Sequence, residues 1–365
     1  MRMPMRVLSM QRVRMCVLQI CVLLTAMLAA SAGVVAAEGD PVAERMLQAQ
    51  TASGGWPKHL AGEAIDYTRP FNAVEHTVLA QVDRPDDATI DNNATTREIL
   101  HLARAWRDSG EQRYRDSALR GVDYLLGAQY PNGGWPQFYP DRSGYRSQVT
   151  FNDDAMTRVV GLLQDIAEGK GDVAALAPLR GEAARAAVDR AIALILDLQV
   201  RIDGVPTVWA AQYDETTLAP ATARSYELPS LSSAESVDIV RLLMRQPDPS
   251  PAIVDAVERA CDWFAAHALR NAAIERIGAS GGRPRDVRLV ERAGATLWAR
   301  FYDLERQAPL LVDRGGEVVG ALPEMSRERR TGYAWYGTWP ERLLEKELPA
   351  WRRGLATSRA SSGHR

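Results

Sequence analysis

Gln50-Thr-Ala-Ser-Gly-Gly-Trp56-Pro57-Lys58 recurs as Gln129-Tyr-Pro-Asn-Gly-Gly-Trp135-Pro136-Gln137. A looser third copy, Gln199-Val-Arg-Ile-Asp-Gly-Val-Pro-Thr-Val-Trp209, carries a short insertion. The tryptophans lie 79 and 74 residues apart. Recurrence of this kind marks stacked units, each unable to bury its apolar face alone. The aromatic cluster Tyr333-Ala-Trp335-Tyr336-Gly-Thr-Trp339-Pro340 reads as a degenerate fourth copy.

Between copies, apolar residues return about every 3.6 positions. Asn93 to Arg107 aligns Ile99, Leu100, Ala103 and Trp106, and Tyr114 to Gln129 aligns Ala118, Val122, Leu125 and Leu126. Ala155 to Ala167, Glu182 to Leu198, Ala234 to Met244 and Ile253 to Leu269 behave alike, so each unit is two helices plus a Gly-Trp turn. Strand signals are few and short, with Thr207 to Trp209 and Leu310 to Val312 the best. The expected fold is all-α, an α/α toroid (an incomplete α/α barrel) of two-helix repeats with a few short strands.

The repeat also aligns loops. Each Gly-Trp turn is followed by a polar stretch that opens a helix: Thr89-Ile-Asp91-Asn-Asn-Ala-Thr95, Phe151-Asn-Asp153-Asp154-Ala-Met156, and Ala223-Arg224-Ser-Tyr-Glu-Leu-Pro229. Equivalent helix starts in a toroid lie at one end, so Asp91, Asp153, Asp154 and Arg224 are expected to face one cleft. Asp and Asn are ordinary helix caps. Two acid-rich starts in register exceed what capping needs. Carboxylate and amide oxygens suit Ca²⁺ rather than Zn²⁺. The tryptophans are open to two readings, wedges in the core or platforms for sugar rings at the cleft.

The chain has 365 residues, 46% of them hydrophobic and 25% charged, with formal net charge −2. That composition excludes wholesale disorder and multi-span membrane classes. Residues 1–37 read as a signal peptide: Arg2, Arg6, Arg12 and Arg14 precede an apolar run from Val17 to Leu28, and Val35-Ala-Ala37 supplies small residues for cleavage. Met10 is an alternative start. The expectation is an exported protein, secreted or periplasmic, with no membrane contact after cleavage. Removing that segment takes away four arginines and no acid, leaving a net charge of −6. It also takes Cys16 and Cys21, so Cys261 is left without a partner. The remaining domain is expected over 38–351, with 352–365 a disordered tail. No oligomerisation signal is visible, and a monomer is expected.

Of 44 basic residues only Lys58, Lys170 and Lys346 are lysine, leaving 41 arginines. Base composition accounts for most of them. Arg300, Arg314, Arg327, Arg329 and Arg330, however, sit among aromatics and glycines. That setting suits a polyanionic sugar, because a guanidinium grips a carboxylate with two parallel bonds. Zinc-hydrolase, serine-esterase and phosphate-loop motifs are absent. Gly278 to Arg285 is glycine-rich, but no strand is read before it, so it reads as a flexible loop. An acidic exported chain excludes nucleic acid as a partner.

With the polar stretches above, Arg300-Phe-Tyr-Asp-Leu-Glu305 and Arg329-Arg-Thr-Gly-Tyr-Ala-Trp-Tyr-Gly337 complete five ordered motifs. Together they resemble the family 10 pectate lyases over about residues 46 to 345. The resemblance implies an α/α toroid and calcium-assisted anti β-elimination on polygalacturonate. It implies that Asp91 and Asp153 hold the metal, with Asp154 either a ligand in place of Asp153 or a substrate contact. It further implies that Arg224 takes the C5 proton and that Arg300 and Arg314 bind substrate carboxylates. Nearby cations are expected to lower the Arg224 pKa enough for that role. The sequence departs from the family pattern at Leu310-Leu-Val-Asp313, before Arg314. It departs again at His59-Leu60, after Lys58, which argues against a substrate role for the first loop. Three other readings stay open at this level: a terpene-cyclase-like toroid, from Arg120-Gly-x-x-Tyr124-Leu…Gln129…Trp135; a glycoside hydrolase using two carboxylates; and a carbohydrate-binding module without chemistry.

Overall fold

The computed structural model describes residues 39–279 and 284–362, with side chains to residue 357. The expected signal segment lies outside the described residues, as do Ser280 to Arg283 of the glycine-rich loop. Among the described residues no helix is long and apolar enough to cross a membrane.

The main helices are α1 (Pro41–Ala49), α2 (Ala73–Leu79), α3 (Thr96–Ser109), α4 (Gln112–Ala128), α5 (Ala155–Glu168), α6 (Ala177–Asp197), α7 (Ser233–Met244) and α8 (Pro251–Ala266). They pair as α3 with α4, α5 with α6, and α7 with α8. The first member of each pair also touches the first of the next pair, and the second touches the second. The result is two concentric rows, α3-α5-α7 inside and α4-α6-α8 outside, which is the expected α/α toroid. The inner helices all begin at one end, where the turn Asp91–Asn93 packs against Asn152–Asp154, and that turn against α7.

The repeated turn is built the same way each time. Gln50 Nε2 donates to Gly54 O at 2.7 Å and to Ser117 O of α4 at 3.0 Å. Gln129 repeats this with Gly133 O and Ala187 O of α6, and Gln199 with Thr207 O and Ala256 O of α8. One amide thus ties each turn to the next outer helix. Glycine is required because the turn is pressed onto that helix: at Gly54 and Gly133, both with φ near +100°, a Cβ would sit 2.6 and 2.4 Å from a carbonyl oxygen.

Trp56, Trp135 and Trp209 are fully buried, so they are core wedges and not sugar platforms. Each indole donates at 2.7 Å to a carbonyl of the preceding helix: Met46, Leu125 and Ile195. Trp298 does the same to Phe264 at the end of α8. Trp298, rather than the 333–340 cluster, therefore opens the fourth copy. The match extends to the hydroxyl that closes each turn. Tyr213 accepts from Ala210 N and donates to Leu198 O, and Tyr302 accepts from Ala299 N and donates to His267 O.

Two regions differ from the sequence expectation. Leu269–Ile277 (β1) and Asp286–Ala299 (β2) form a long antiparallel hairpin, extended by Tyr336–Gly337 (β3) on the free edge of β2. A strand therefore does precede the glycine-rich loop, and α8 stops at Ala266 instead of reaching Leu269. Only four of the 23 residues of β1 and β2 are buried, three of them at the end of β2, so the alternation that betrays a half-buried strand is missing. Leu311–Val312 is a short strand as expected, whereas Thr207–Trp209 is not. Downstream lie α9 (Arg327–Gly332), α10 (Trp339–Arg342) and α11 (Leu348–Ser362). The chain from residue 352, expected to be an irregular tail, is helical through Ser362. Arg352 anchors it to Glu258 of α8, its Nε donating at 2.8 Å.

Candidate active site

At the shared end of the inner helices the backbone enters an unusual conformation twice. Asn92 and Asn93 have φ of 50° and 67°, and Asp153 and Asp154 have 51° and 61°. Consecutive left-handed residues outside glycine cost about 1–3 kcal/mol each, and Asn and Asp tolerate that region best. The preceding residues also match, Ile90 at φ −100° and Phe151 at φ −100°. Structurally, then, Asp91 is equivalent to Asn152, and Asp153 to Asn92. The two acids thought to be in register are offset by one residue.

The consequence is that successive side chains leave the turn on different sides. Asp91, Asn92, Asn152 and Asp153 line a small cavity of about 80 Å³, together with Lys58, Gln137, Gln148, Gln212, Arg224 and Glu227. Asn93 and Asp154 line a separate cavity of about 720 Å³ between α3, α5 and α7. Asp91, Asp153 and Arg224 are thus brought together, and Asp154 is not. The Asp154 carboxylate instead accepts from Arg158 at 3.1 Å. Burial, reinforced by the nearby Asp238 carboxylate, pushes its pKa up to about 7.

The small cavity holds polar groups that the protein leaves unused. Asp91 is buried, with one oxygen bonded to the Lys58 ammonium and Oδ1 without a hydrogen-bond partner. Gln137 Oε1 and Gln148 Oε1 are buried and unpartnered as well. Buried acceptors are almost always satisfied in folded proteins, so three around one cavity call for a cation or a donor from a ligand. Asp153, more exposed, adds a second carboxylate. Among the described residues there is no group of three or more His, Cys, Asp and Glu able to hold a metal. The donors that are present, two carboxylates and two amide oxygens, are of the type a hard, oxygen-binding ion such as Ca²⁺ would take, and further oxygens would have to complete the site.

Cations gather on the opposite wall. Arg224 donates through Nε to Glu227 Oε2 at 2.7 Å, and its backbone N bonds the same oxygen. Tyr333 Oη donates to Glu227 at 3.1 Å. Burial works to lower the Arg224 pKa, but the bonds and charge of Glu227 outweigh it and the net shift is upward. That is opposite to the expected depression. Arg300 bonds the buried Glu235 and reaches Asp153 at 3.4 Å. Desolvation would lower its pKa, and the Glu235 charge again raises it on balance. The Arg300 Nε and Arg329 Nε atoms are buried and unpartnered.

Arg314 stands further out, in an open depression with Asp313 and Glu328, and Glu328 accepts from its Nε at 2.7 Å. It joins the cluster through Tyr226. The guanidinium carbons of Arg224, Arg314 and Arg329 lie 5.1, 5.7 and 4.3 Å from the Tyr226 ring centre. Such cation–π contacts hold like charges near one another at modest cost.

Lys58, Gln137, Glu227, Glu235 and Tyr333 were missed as site residues. One signal could have found the first two. Lys58, Gln137, Ala211 and Arg300 all stand two positions after a repeat tryptophan. The first two line the cavity and the last reaches Asp153. The first loop, set aside on the strength of His59-Leu60, therefore contributes to the site through Lys58.

Fold and site together define a toroidal enzyme whose cleft pairs oxygen donors with guanidinium groups, an arrangement for acidic sugars. The sequence model of the pectic acid lyase family matches residues 50–344. The family 10 polysaccharide lyase from Cellvibrio cellulosa superposes with a TM-score of 0.73 at 32% identity, covering 83% of this chain and 89% of that one. A single-alanine variant of that lyase, solved in complex with trigalacturonic acid, gives the same TM-score and identity over 90% of its length. No curated protein sequence matches the chain. The chain belongs to the pectic acid lyase family and is a pectate lyase.

Proposed function

We propose that this lyase cleaves polygalacturonate by anti β-elimination, assisted by Ca²⁺ at Asp91 and Asp153, with Arg224 as the base. The convergence of these three residues on one cavity with three unsatisfied oxygens carries the reading. The proton removed lies on C5, α to a carboxylate, and is barely acidic. Bound at Asp91 and Asp153, the metal supplies positive charge to that carboxylate as negative charge develops on it.

The chain's own residues do the rest. Arg300 and Arg314 bind uronate carboxylates in the forked geometry. Neutral Arg224 takes the C5 proton as the C4–O4 bond breaks. The electron pair becomes the C4=C5 double bond, and the departing oxygen takes a proton from water. Glu227 favours the charged form of Arg224, whereas the metal and the guanidinium groups of Arg300, Arg314 and Arg329 oppose it. The base form is therefore a minor species at neutral pH, and turnover should rise steadily on the alkaline side. An acidic polysaccharide outside the cell also suits an exported protein.

The test is ultraviolet absorbance of the unsaturated product from polygalacturonate, with and without a chelator. Absorbance that chelator abolishes and Ca²⁺ restores supports the reading. Reducing ends without absorbance would replace it with hydrolysis, and full elimination by Arg224→Ala would remove Arg224 as the base.

A further inference from the structure

Arginines on this protein are commonly held by carboxylates. All five in the large cavity are: Arg97 by Glu98, Arg104 by Asp172, Arg158 by Asp154, Arg241 by Glu347 and Arg245 by Asp165. A groove of about 510 Å³ along the hairpin, between β1, β2 and β3, differs. Arg276 and Arg292 line it, and neither guanidinium makes a hydrogen bond or ion pair among the described residues. In the strand register Arg276 stands opposite Val287, so no acid faces it directly across the hairpin. Half-buried Tyr336 lines the same groove, and one acid, Glu341, stands at its margin.

The groove lies close to the cleft. Tyr333 packs on the Arg300 guanidinium at 4.9 Å, and Tyr336 is three residues further on. Three residues span at most about 11 Å. The Tyr336 end of the groove therefore lies near the cleft, and a polymer gripped at Arg300 and continuing along the groove would meet Arg276 and Arg292 beyond it. Unpaired guanidiniums beside an aromatic ring offer such a chain both forked bonds to carboxylate and a flat apolar face.

We propose that the hairpin groove is an outlying binding surface for the acidic polysaccharide, with Arg276 and Arg292 holding uronate carboxylates beyond the cleft. This rests on polygalacturonate being the substrate. Both residues are exposed, so the attraction is sensitive to salt.

The experiment compares Arg276→Gln/Arg292→Gln with the wild-type protein on long polygalacturonate and on trigalacturonate. The expected result is a KM raised about three- to tenfold on the long polymer, with kcat and the trimer constants unchanged, and with the difference lost at high salt. Arg288→Gln, on the same hairpin but outside the groove, should change none of these. An unchanged KM on the long polymer, or equal shifts in the trimer or the Arg288 control, would overturn the proposal. Retardation of the Arg224→Ala protein in polygalacturonate gels separates the two readings. If wild-type protein makes no unsaturated product, the reaction proposed above fails. The groove stands or falls on whether removing Arg276 and Arg292 weakens the retardation, since Arg300 and Arg314 still bind the polymer in the cleft.

Discussion

The two cavities at the inner helices share one backbone turn and are rich in the same residue types, yet they are built for opposite ends. The larger, about 720 Å³, carries five arginines, each matched to a carboxylate. It is a neutralised seam, and one of its pairs, Arg245 with Asp165, joins the end of α7 to α5. The smaller, about 80 Å³, leaves three buried oxygens without partners, against Asn93 Oδ1 in the larger. Volume alone would have chosen the wrong one. Unsatisfied groups, which cost folding free energy, mark the place where the protein waits for something else.

That contrast can be broken by substitution. The largest effect belongs to Arg224→Ala, which should lower kcat on polygalacturonate by about 10²–10⁴. It also leaves the buried Glu227 carboxylate without its guanidinium and so should lower the melting temperature. Next come the acids. Asp91→Ala or Asp153→Ala should raise the Ca²⁺ concentration needed for half-maximal rate by about one to two decades, while Asp154→Asn, one residue along, leaves it within about twofold. Equal behaviour of Asp153 and Asp154 variants in calcium titrations would erase the distinction between the cavities. In the large cavity, Arg241→Ala should act on stability alone. Its partly exposed bonds to Glu347 and Asp238 are worth about 0.5–1 kcal/mol, or about 1–2 °C in a thermal melt, at unchanged kcat.

The smallest effect lies outside both cavities. Arg330 donates to Asp286 at 2.6 Å at the base of β2 and, with the Val287 amide, holds its carboxyl at about 2. A depressed carboxyl stabilises the fold at pH above its unfolded value near 4, and that contribution disappears as pH falls toward 2. Melts of Asp286→Asn should therefore converge with wild type in that acid window and diverge slightly above it.

The helical repeat was legible in sequence because each helix buries one face, so the 3.6 period survives in Ile99, Val122 or Val159. The cleft was legible in outline because the repeat placed Asp91, Asp153 and Arg224 at one end. Which of two adjacent aspartates faces inward was not legible. That choice is made by a pair of left-handed residues, and no apolar pattern records it. The hairpin was hidden because Leu269-Arg-Asn-Ala-Ala-Ile-Glu-Arg-Ile277 has a single buried residue, Ala273, and shows no two-residue alternation. Glu227 and Glu235 were hidden for a different reason: in the sequence one looks like an ordinary loop acid and the other like an ordinary first-turn acid, and only packing reveals them as buried partners of the site arginines.

The position two residues after each tryptophan has a consequence for how such a cleft can change. Four copies of one turn carry Lys58, Gln137, Ala211 and Arg300 at the same position, and three of them, Lys58, Gln137 and Arg300, reach the cleft. The backbone beneath them is held by indole and glutamine bonds that take no part in chemistry. The rim is thus a short written word on a fixed page, where any letter can be exchanged without redrafting the paper. Ala211 is the exception: it is buried in an apolar cluster with Tyr226, Phe301 and Leu310, so the third copy has turned its letter into the page, where a charge would be costly.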